Sequence, residues 1–144
     1  MSEQTPSHSV TSAGLRLGLL LGAVHVLNHS LEGFASLPPS VSAARGVAMW
    51  GVIFVVCSAA SAWLVAGTGS VLLGTAASAL AGLVGAVILV VYAIGVGLAR
   101  GEPLGIDTIA TTGGMHLGGS IVVGATMGLV SGWVGVALAR AGRL

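Results

Sequence analysis

Apolar residues in this chain fall into four long blocks separated by short polar interruptions. From Gly46 to Ala99, 54 consecutive residues include no Asp, Glu, Lys or Arg, and another 32 lie between Asp107 and Arg140. A helix crosses the hydrocarbon core with roughly 20 apolar residues. The longer run therefore predicts two crossings joined by a tight turn, and the shorter run predicts one. An earlier charge-free stretch, Leu17 to Leu31, is flanked by Arg16 and Glu32. Those two charges are 16 residues apart, or roughly 24 Å along a helix, which is close to a full span. The blocks are continuous rather than alternating, so they do not read as barrel strands.

The predicted elements are helices over about 14–37, 46–66, 71–99 and 113–139, forming one four-helix transmembrane domain over 14–144. Residues 1–13 are polar and Ser/Thr-rich and read as a disordered tail. Pro38 and Pro39 should end the first helix, since neither can donate a backbone hydrogen bond. Gly67-Thr68-Gly69-Ser70 is the expected turn between the second and third helices. Trp50 and Trp63 suit the two headgroup regions. A cleaved signal peptide fits less well, because Val41-Ser42-Ala43 lies 16 residues beyond the apolar stretch that ends at Leu27.

Composition agrees with lipid as the solvent. The chain is 55% hydrophobic and 6% charged, where a soluble domain has about a quarter charged residues. A net charge of +1 with no lysine gives nucleic-acid binding no electrostatic basis. Four crossings put both termini on one side with Arg16, Arg140 and Arg143, against Arg45 and Arg100 opposite. The arginine excess places both termini in the cytoplasm of a cell (inner or plasma) membrane.

Small residues recur every fourth position: Gly14, Gly18 and Gly22 in the first helix, and Ser120, Gly124, Gly128 and Gly132 in the fourth. Such faces let helix backbones approach closely in lipid. Packing within the bundle is the simpler meaning, and a homo-oligomer seam or docking to a larger membrane complex is the alternative. The methionines and Cys57 read as core filler or lipid-facing residues.

One constellation could carry chemistry. His25, Asn28, His29 and Glu32 lie on a single helical stripe that Ser36 continues. Ionisable groups inside a membrane are costly and normally face a bundle interior or a wet cavity. Helical rise puts His116 of the fourth helix near the level of Glu32, so these side chains are expected to converge. Plain interhelical hydrogen bonding is the simplest meaning. Beyond it, a non-enzymatic role comes first: an accessory subunit, or a carrier of a small solute or proton along the stripe. The alternative is a redox subunit binding haem or a transition metal through His25, His29 and His116. No nucleophile elbow, zinc-protease motif or phosphate loop in its required context is present, and no catalytic residue is assigned.

Overall fold

In the computed structural model, residues 6–34, 38–103 and 105–141 are described. They form four helices: α1 (Pro6–Phe34), α2 (Pro39–Thr68), α3 (Val71–Ala99) and α4 (Ile106–Ala141). All four are long and apolar enough to cross a membrane. The protein is an all-α membrane bundle.

Three helix starts differ from expectation, and α2 and α4 each end two residues later than expected, at Thr68 and Ala141. Helix α1 starts at Pro6 rather than near Gly14, although residues 6–13 are largely polar. Its early turns have something to pack on, because Ala13 is buried against Leu64 and Ala77, with Val10 beside them. Helix α2 starts at Pro39 rather than Gly46, with Pro39 in its first turn. There the missing N–H would lack a partner anyway and the fixed φ suits the helix. The Pro38 carbonyl accepts from the Val41 and Ser42 N–H groups, both at 3.0 Å. Helix α4 begins at Ile106, seven residues ahead of the expected Gly113.

The turns have local causes. Gly69 adopts φ +70° and donates its N–H to the Val65 carbonyl at 2.7 Å, closing α2. Ser70 then caps α3, its hydroxyl accepting from the Leu73 N–H. At the far end of α3, Gly101 (φ +71°) donates to Leu98 O and Glu102 to Gly97 O. That bond pair is the Schellman arrangement.

Helix α3 is the hub and packs on the other three, while α2 also packs on α4 and more lightly on α1. Among the described residues, no Cα of α1 comes within 8 Å of a Cα of α4. Gly14, Gly18 and Gly22 of α1 meet Leu80, Val84 and Ile88 of α3 in the same order, so those two helices run parallel. Between α3 and α4 the order reverses: Gly124 lies against Ser78 and Ala79, and Gly132 against Val71. Helices α2 and α4 run parallel to each other, with Ser61 beside Gly128 and Val65 beside Gly135. The start of α1 and the end of α4 therefore lie at the same end of the bundle.

Small residues fill the inside and large ones the outside. Ala60, Ser61, Ala77, Ser78 and Ala81 are fully buried, whereas Leu72, Val47, Trp63 and Val91 are at least 63% exposed. A soluble protein does the opposite. In lipid a large apolar side chain loses nothing by facing outward, and close backbone approach needs small residues within.

Candidate functional site

A gap of about 560 Å³ opens where the bundle is least tightly closed, between α1 and α4. Helix α1 contributes His25, Asn28 and His29 to its wall, and α4 contributes His116 with Met115, Gly119 and Ser120. The other two walls are α3 (Gly82 and Leu89) and the first half of α2 (Gly46, Met49, Trp50, Ile53 and Cys57). The α2 residues are spaced by three and four, which places them on one helical face.

The polar groups gather at one end. His25 lies within electrostatic reach of both His116 and His29. His29 is exposed and takes part in an interaction of its own. Among the described residues none hydrogen-bonds to the side chains of His25, Asn28 or His116. Just beyond His29, the Ser30 hydroxyl and the Tyr92 phenol share a 2.7 Å hydrogen bond that ties α1 to α3.

The other end is closed. Leu21 and Cys57, which line the floor, belong to a buried cluster with Val56, and Leu17, Ile53 and Met127 pack around it. Just beyond, Ser78 donates to the Cys57 carbonyl at 3.1 Å and Ser61 to the Gly128 carbonyl at 2.6 Å. These bonds join α2 to α3 and to α4. The cavity is thus blind, with a polar rim in the half of the bundle away from the termini.

Four of the five residues of the expected polar site therefore share one cavity: His25, Asn28, His29 and His116. The Glu32 and Ser36 side chains lie outside the described residues. The stripe on α1 divides between two neighbours, its glycine end meeting α3 and its histidine end lining the cavity. The three histidines raised as metal ligands all line it, yet among the described residues no three of His, Cys, Asp and Glu converge as one ligand group. Gly124, Gly128 and Gly132 of α4 pack on residues of this same chain.

Sequence reasoning missed the α2 wall. Met49 and Cys57 looked like filler because apolar residues surround them on every face, and α2 has no polar stripe to mark an inner side. Their three-and-four spacing from Gly46 was the available signal. Comparison with protein-family models, with characterised proteins and with solved structures gives no match.

Proposed function

We propose that the protein is a non-enzymatic carrier of a small solute and that the blind cavity is its binding chamber. The observation behind this reading is that imidazoles and an amide from α1, and an imidazole from α4, line one cavity between two helices whose Cα atoms, among the described residues, nowhere come within 8 Å. Its size falls within the roughly 300–1,000 Å³ of ligand sites, and its lining has their character, mainly apolar with a few convergent polar groups. The floor supports carriage over a fixed pore. Alternating access requires a chamber open toward one side and closed toward the other. With the termini in the cytoplasm, as the arginine excess expects, the chamber opens toward the opposite face. A fixed proton wire along the α1 stripe is less favoured, because the apolar cluster around Leu21 interrupts it.

Access to the chamber tests this. In a Cys57→Ser background, Gly119→Cys should react with a water-soluble thiol reagent only from the side of the α1–α2 connection. Gly119 has open space around its Cβ position, so the substitution is compatible with the fold. A carrier also exposes Met127→Cys, below the floor, from the opposite side. Failure of Gly119→Cys to react from either side would overturn the chamber, and failure of Met127→Cys would overturn alternation.

A second reading is haem held between imidazoles of α1 and α4. The facing of His25 and His116 across the cavity favours it. A Soret band in the purified protein that His116→Ala abolishes would put this reading first.

A further inference from the structure

The histidines are only part of the chamber's chemistry, and the sulfur atoms are the other part. The chain has four methionines and one cysteine. Met1 lies outside the described residues. Met49 and Met115 line the chamber, Cys57 lies at its floor, and Met127 packs against the floor cluster from beyond it. Every sulfur in the four helices therefore falls along one column. Three of the four histidines stand in the same column. Along the helices, Met49 is about 12 Å from Cys57 and Met115 about 18 Å from Met127.

Methionine often serves as irregular core filler, and filler would be scattered over all the interfaces. The α1–α3 and α3–α4 contacts are more extensive than those lining the chamber, and their packed pairs use Gly, Ala, Ser, Thr, Leu, Val and Ile. The helix sulfurs lie instead along the chamber and its floor, with Met115 at the open edge and 78% exposed.

Thioether and thiol donors favour soft metal ions such as Cu(I), and imidazole suits copper as well. Hard divalent cations take oxygen ligands, chiefly carboxylates. Among the described residues lining the chamber, none is Asp, Glu, Lys or Arg. Among the described residues, the His and Cys donors are also not gathered into one cage of three. A transported ion needs such spacing, since each site must bind well enough to admit the ion and weakly enough to release it.

We propose that the cargo is a soft monovalent cation, Cu(I) or its analogue Ag(I), handed from imidazole and thioether at the mouth to Cys57 at the floor. The proposal rests on the carrier reading above and names its substrate class. The ion stays at +1 throughout. Only metal–ligand bonds form and break, and the thiol proton of Cys57 leaves to chamber water when the sulfur binds.

The experiment is a calorimetric titration of the detergent-purified full chain with silver nitrate in chloride-free buffer, and separately with a zinc salt. Silver should bind and zinc should not at the same concentrations. Met49→Leu with Met115→Leu, a near volume-conserving pair, should weaken silver binding at least tenfold. Cys57→Ser should keep a weaker site. Silver affinity unchanged by the two leucines and abolished by Cys57→Ser alone would mean a lone thiol and would overturn the proposal. Zinc bound as tightly as silver would overturn it too. Absence of silver binding while Gly119→Cys reacts would remove the cargo and keep the chamber, whereas an unreactive Gly119→Cys would remove both.

Discussion

The Ser61 hydroxyl donates to the Gly128 carbonyl at 2.6 Å, across the α2–α4 contact and at full burial. The bond spans 67 residues of sequence, and Gly128 is at the same time bare toward α3, where a Cβ would lie 2.7 Å from Ser78 Cβ and 2.9 Å from Thr75 Cα. The space around Ser61 is tight. A Cβ at Gly74 would lie 2.6 Å from its oxygen, and one at Gly132 3.3 Å from it. Removing the hydroxyl leaves the carbonyl its bond within the helix, so Ser61→Ala should cost about 1 kcal/mol. Reversible unfolding in mixed micelles reads this directly, and an unchanged midpoint would mean that the bond contributes nothing.

The α3–α4 seam makes a sharper demand. A Cβ on Gly124 would sit 2.7 Å from the Ser78 carbonyl oxygen and 3.2 Å from Ala79 Cα. Both are backbone atoms and cannot turn aside. Gly124→Val should therefore destabilise by at least about 1–3 kcal/mol, as overpacking does. Gly118, on the same helix, meets nothing within 4 Å. There Gly118→Ala should be neutral or gain up to about 1 kcal/mol of helix propensity. Equal effects at the two sites would show that α4 is rotated from the described position.

Helix directions fix the sidedness of the loops. Ser40 and Glu102 lie at one end of the bundle and Thr68 at the other, and all three are exposed. Single cysteines at these sites, in a Cys57→Ser background within sealed vesicles, should place Ser40→Cys with Glu102→Cys and opposite Thr68→Cys. Labelling of Ser40→Cys on the Thr68→Cys side would remove a crossing.

The fold was legible because charge placement and apolar run length report directly on the solvent. Arg100 marks the end of α3 and the Gly67-Thr68-Gly69-Ser70 turn its start, which is why Val71–Ala99 was placed to the residue. The ends of the other helices ran past the charges. Pro39 can start a helix as readily as another proline can stop one, and Pro6–Ala13 gains its partners, Leu64 and Ala77, from distant parts of the chain. Periodicity showed that His25, Asn28 and His29 share a face. It could not show that α3 rather than α4 packs beside the glycines of α1. That choice depends on how side chains such as Leu80, Val84 and Ile88 fit over Gly14, Gly18 and Gly22, and run length carries no trace of it. The α2 wall stayed hidden for the same reason, since only packing tells which side of an evenly apolar helix faces inward.

The chamber is the central feature, and a cross-link across it is its most direct test. A disulfide needs Cα atoms within roughly 7 Å, whereas no Cα of α1 comes within 8 Å of one in α4 among the described residues. In a Cys57→Ser background carrying His25→Cys and His116→Cys, direct oxidation should therefore give little intramolecular disulfide. A flexible bifunctional thiol reagent of about 10 Å reach, longer than any disulfide, should join the two cysteines in high yield. Mass spectrometry of peptides from monomeric protein reads both products. Efficient disulfide formation would mean that α1 and α4 touch and leave no chamber. Failure of the longer reagent would mean that His25 and His116 do not face a common space.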